Sequence, residues 1–175
     1  MRKIHLVFGF MLIMLLAMST NLMAGTIFVD IDADGSNNGS SWANAYTTLQ
    51  SALDVASGDQ IWVAKGTYKP SSPYNLTIDG NRDFHFRMIN DVAIYGGFAG
   101  TETAVIQRTS YGVGETNETI LSGDIGTPGD NSDNCYHVFY HPNGLGLTGS
   151  AILDGFTITG GNADEDPHWG GGGLE

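Results

Sequence analysis

An all-β solenoid under a short helical lid is what the sequence leads one to expect, on three observations. From Gln60 onward the helical period disappears, and the chain becomes short β-rich runs cut by glycine, asparagine and aspartate. Two fragments echo themselves at a distance: Ile120-Leu121-Ser122-Gly123 returns as Ile152-Leu153-Asp154-Gly155, and Ile94-Tyr95-Gly96-Gly97 as Ile158-Thr159-Gly160-Gly161. Only one stretch carries helical spacing, through Tyr46, Leu49, Leu53 and Ala56.

The elements follow in order. Arg2 and Lys3 precede an apolar run from Leu6 to Met18, and the small Ala24 suits a cleavage site, so residues 1–24 read as a secretory signal peptide. The run is too short to span a membrane comfortably, and its removal would leave no spanning segment. Residues 25–59 then hold a short strand, Thr26 to Asp30, and the helix, expected from about Trp42 to Ala56 with Ser40 or Ser41 as its cap and Gly58-Asp59 as its stop. Residues 60–175 supply the coils, with strands expected at Ile61 to Ala64, Phe84 to Met88, Val92 to Tyr95, Thr119 to Leu121, Tyr136 to Tyr140 and Phe156 to Thr159. In a stack of parallel strands each coil lies roughly 4.8 Å above the last. The open edge of such a stack recruits other chains unless it is covered, and the helix supplies that lid.

Composition narrows the function. The chain has 175 residues, 19 acidic against 7 basic, 41% hydrophobic and 15% charged, so it can bury a core and is not disordered by composition. The deficit of positive charge argues against nucleic acid, because phosphate binding depends on Lys and Arg. The single cysteine, Cys135, cannot form an internal disulfide and reads as a small buried side chain.

Several stretches resemble one group of proteins. Gly39-Ser40-Ser41-Trp42-Ala43-Asn44-Ala45-Tyr46, then Leu49-Gln50, Ala52-Leu53 and Gly58 through Tyr68, are similar to the N-terminal cap and first coil of bacterial extracellular right-handed parallel β-helix proteins of the pectin-lyase-like superfamily. Ile94 through Thr103 and Leu153 through Ala163 are similar to the same group. The resemblance implies a right-handed parallel β-helix and a place outside the cell or on its surface, including the outer membrane. It implies a structural, adhesive or glycan-binding role, with extracellular polysaccharide or surface proteins as partners. Chains of that group run on through more coils after a segment like Gly170-Gly171-Gly172-Gly173, so the resemblance also implies an N-terminal portion of a longer protein. Its enzyme members imply an alternative, a calcium-dependent polysaccharide lyase of the pectate type. Such an enzyme needs an Arg or Lys base beside acid-bound calcium. Lys65, Lys69, Arg82, Arg87 and Arg108 are the basic residues across the expected coils, and none stands in a lyase signature.

Each candidate site also has a plainer structural reading. Asp30, Asp32 and Asp34, followed by Gly35, offer alternating carboxylates that suit Ca²⁺. The twelfth position from Asp30 is Ser41, where an EF-hand needs a bidentate glutamate, so only a looser site or a solvated turn remains. Asp164, Asp166, His168 and Trp169 form an acidic and aromatic loop suited to sugar hydroxyls or a cation, and the loop Asp130 to Asn134 is a candidate of the same kind. Tyr140 reads as a coil-stacking ring. His137 and His141, four apart on an expected strand, would stand roughly 13 Å apart and could not share a metal. The G-x-G-x-x-G match at Gly144, Gly146 and Gly149 lacks a preceding strand and reads as chance.

Overall fold

The computed structural model describes residues 25–73, 81–141 and 145–165. Seven short strands and one α-helix occur among them: β1 (Thr26–Val29), α1 (Leu49–Val55), β2 (Gln60–Ala64), β3 (Gly66–Tyr68), β4 (Ala93–Phe98), β5 (Thr119–Ser122), β6 (Ile152–Asp154) and β7 (Thr157–Thr159). The strands form two separate parallel sheets, one ordered β1-β2-β4-β6 and the other β3-β5-β7.

Register places like upon like. Ile27, Ile61, Ile94 and Leu153 stand in one column of the first sheet, and Tyr68, Leu121 and Ile158 in one column of the second. Alternation along each strand turns these columns toward a common core, where Val29, Ile61, Val63, Ile94 and Leu121 are fully buried. The outer face of the first sheet is covered as well. Phe28 and Trp62 stand in register there, and Trp42 lies 4.8 Å from Phe28 while Phe98 stacks on Trp62 at 4.8 Å. β2 is therefore covered on both faces, which explains its unbroken apolar run. The register slips between Trp62 and Ala64, opposite Gly96-Gly97. Gly97 takes φ +88°, and a Cβ there would meet the Tyr111 side chain at 2.5 Å.

The helix is shorter than its periodicity suggests. It begins after Thr48, whose hydroxyl accepts from the Ser51 N–H, and not at Trp42. Residues 38–46 are drawn instead to the free edge of β1, where Tyr46 exchanges hydrogen bonds with Phe28 and Asp30 and the Asn44 carbonyl accepts from Asn38 and Gly39. The helix buries Leu49, Ala52 and Leu53 at i, i+3 and i+4, and the chain turns away beyond Ala56, where Gly58 adopts φ +73°.

The expected all-β, right-handed parallel β-helix is corrected by this arrangement. The described residues form two small parallel sheets and a helix whose Leu49, Ala52 and Leu53 belong to the same core as the strands, an α/β arrangement with no solenoid. Two expected strands are absent. Segments 84–88 and 136–140 pair over one isolated bridge, Phe86 with Phe139, and past it a side chain takes a backbone group that a ladder would use. The Met88 N–H donates to His141 Nε2 at 2.9 Å, for example. The sequence echoes do not mark stacked partners either: Ile120 of β5 pairs with Thr157, and Ile152 lies in the other sheet, beside Ala93. The signal peptide expected at residues 1–24 lies outside the described residues. Among the described residues no helix is long and apolar enough to cross a membrane.

Candidate functional site

The paired segments that fail to become strands enclose an aromatic cleft. Tyr136 donates its N–H to the Arg82 carbonyl, Phe86 to Val138 and Tyr140 to Phe86, which sets residues 82–86 against 136–140. Between them opens a small cleft of about 50 Å³, walled by Phe84, His85, Tyr136, His137 and Tyr140, with Arg82 and Asp83 beside them. The rings are ordered by mutual contact. Tyr140 packs edge-on to His85 at 5.3 Å and stacks with His137 at 5.5 Å.

Arg82 fixes one rim. Its Nε donates to the Asn134 carbonyl at 2.8 Å, and its Nη2 donates to the Asn162 carbonyl at 2.8 Å and to Asp164 Oδ1 at 2.7 Å. The guanidinium also lies 4.2 Å over the Tyr136 ring, whose hydroxyl donates to Glu165 at 2.8 Å. The Arg82 hydrogen bond holds the Asp164 carboxyl below its usual range. Burial works against the Arg82 charge, but Asp164, Tyr136 and Glu165 outweigh it and keep the guanidinium ionised.

His85 is buried in the cleft wall beside Asp83 and His137, 7% exposed. Its Nδ1 stands 2.8 Å from the Asp83 carbonyl, which can only accept, so the neutral ring carries its proton on Nδ1. Nε2 is then an acceptor, buried and without a partner among the described residues. Desolvation lowers the affinity of this ring for a second proton, opposed by the Asp83 carbonyl and carboxylate and reinforced by His137 and His141.

Of the sequence candidates, Asp164 belongs to this rim, and Asp166, His168 and Trp169 lie outside the described residues. Tyr140 is in the cleft wall. Cys135 is fully buried, its thiol pushed up to about 12 by burial, and it is no nucleophile. His137 and His141 do not ride on a strand, and both stand near enough to His85 to act on its charge. Asp30 folds back on its own turn, accepting the Asp32 N–H at 3.0 Å, while its carbonyl accepts from Ala33. Among the described residues no three His, Cys, Asp or Glu side chains could hold one metal ion. Calcium titration tests the turn: a reproducible upward shift in melting temperature at millimolar calcium, lost on chelation, would assign Asp30, Asp32 and Asp34 as ligands, and no shift would remove them.

Sequence reasoning missed Arg82, His85 and Tyr136 as site residues. A signal was present: Phe84-His85-Phe86 and Tyr136-His137-Val138-Phe139-Tyr140-His141 both interleave aromatic rings with histidine. A scan against protein-family models, and searches of curated proteins and of solved structures, found no match to this chain.

Proposed function

We propose that this chain is an exported, non-catalytic adhesive module that binds an extended glycan across the ring-lined surface between residues 82–86 and 136–140. The observation that carries this reading is the pairing of ring walls, Phe84, Tyr136 and Tyr140, with a charged rim of Arg82, Asp164 and Glu165. Aromatic faces take the C–H face of a sugar ring while the rim offers hydrogen bonds to hydroxyls, a combination typical of polar ligand sites. The resemblance of residues 39–68 to bacterial extracellular proteins and the leader-like residues 1–24 support a place on the cell surface.

The lyase alternative has less behind it. Its base would be an Arg or Lys, and two of the arginines are held in ion pairs, Arg82 by Asp164 and Arg108 by Asp154. Polyuronate would also meet a chain of net charge −12. Titration of the purified protein with neutral oligosaccharides, followed by calorimetry, tests the reading. Saturable binding is expected, with affinity reduced about tenfold in Tyr140→Ala, the size of one lost stacking contact. Absence of binding across a panel of neutral and acidic glycans, or release of unsaturated products from a polyuronate, would remove it.

A further inference from the structure

Two histidines of the segments that wall the cleft are placed for the neutral ring: His85 lies in the wall itself, and His141 holds Met88 where the paired segments end. His141 Nε2 accepts the Met88 N–H at 2.9 Å, and a protonated imidazole has no lone pair left for that bond. His85 holds its one proton toward the Asp83 carbonyl, so a second proton would fall on Nε2, a buried atom with no partner among the described residues. Both rings belong to the same pair of segments, joined by the single bridge of Phe86 and Phe139. Few other backbone bonds among the described residues hold these segments together, so loss of one is not absorbed by a ladder.

We propose that segments 84–88 and 136–141 form an acid-sensitive latch, in which protonation of His85 and His141 frees Met88 and opens the cleft. The inference rests on the cleft being the binding site for its regulatory meaning, since opening would disperse the ring walls and release the ligand. The groups facing His85 are Arg82, Asp83 and Arg87 from its own segment, Tyr136, His137 and Tyr140 from the opposite one, and Asp54 from α1. Asp83 favours the charged ring, and His137 and His141 oppose it. His141 also faces Phe139, with which it stacks at 6.3 Å.

The sign follows from proton counting. Burial lowers the His85 proton affinity in the closed form below the value near 6.5 of a free imidazole. The open form therefore binds more protons as pH falls below about 6.5. The latch is fully closed above that pH and weakens through the range down to the closed-form value. Each unit of difference is worth about tenfold in the ratio of closed to open forms.

Amide hydrogen exchange on the full chain reads this directly, as the protection factor of Met88 compared with that of core Val63 at about pH 7.5 and about pH 5. Met88 protection is expected to fall about tenfold or more on acidification while Val63 holds. A double variant, His85→Phe with His141→Gln, keeps an acceptor for Met88 that does not titrate, and its protection is expected to change less than about twofold. Each single variant should lie between. Equal Met88 protection at the two pH values in the native chain, or a double variant that titrates as the native chain does, overturns the latch. Oligosaccharide titration at both pH values separates the two ideas: no binding at either pH with a titrating Met88 removes the glycan reading and leaves the latch standing.

Discussion

Phe86→Ala is expected to destabilise the protein by about 3–5 kcal/mol, the range for removing a fully buried aromatic ring. Phe86 is 0% exposed and packs 5.7 Å from Phe139, also 0% exposed, at the one bridge between the segments that build the cleft. The loss has two parts, transfer of the ring to water and the cavity left behind, and neighbours as tightly held as Phe139 and Val138 cannot close it. Phe86→Leu retains most of the volume and should cost about 1–2 kcal/mol. Urea unfolding followed by tryptophan fluorescence measures both, and a Phe86→Ala penalty below about 1 kcal/mol would show that this core is looser than its packing indicates.

Arg108→Ala is the second large effect, expected near 2–4 kcal/mol. The Arg108 side chain is 8% exposed and ties β4 to β6, donating to the Gly96 carbonyl at 2.9 Å, to the Val105 carbonyl at 3.2 Å and to Asp154 at 2.6 Å. It also lies 4.8 Å over Tyr111 and 5.2 Å over Tyr95. The ion pair is not the main part of the effect, because Asp154 is half exposed and water screens it. The larger loss is the Arg108 bond to the Gly96 carbonyl, about 1–3 kcal/mol if that oxygen stays buried without a donor, with the aromatic packing added; the Val105 carbonyl keeps the Arg108 backbone N–H. Asp154→Asn should therefore cost under about 1 kcal/mol. Arg108→Lys should recover little, since an ammonium cannot fork between a carboxylate and two carbonyls. The ordering of these three variants in urea midpoints is the check; equal penalties for Arg108→Ala and Asp154→Asn would assign the effect to charge alone.

The strand sequences are easier to read than the way they assemble. Thr26 to Val29, Gln60 to Ala64 and Thr119 to Ser122 follow from β-branched and aromatic content bounded by turn residues. Three-residue strands such as β3 and β6 carry too few residues for a period to emerge, and they exist only because β5 and β4 stand beside them. The helix is legible in its existence and its buried face, but it starts well after Trp42, because Trp42, Asn44 and Tyr46 are helix-compatible locally and are claimed by β1 and Phe28. Phe84 to Met88 and Tyr136 to Tyr140 read as strands for the same local reasons that β5 does. Their departure from that pattern produces the cleft.

Local chemistry, then, decided which runs extend, where glycines turn, that Cys135 is an apolar-like side chain fit for burial, and that the chain is acidic, with a net charge of −12. Assembly decided the rest: that the two echoes fall in different sheets, that the helix shares its core with both, and that Arg82 gathers Asn134, Asn162 and Asp164 from distant parts of the chain. The reason is one of range. Backbone preference and side-chain period act over a few neighbours, whereas pairing partners are chosen by which apolar columns fill a common interior, and that competition is settled only when all segments are packed at once.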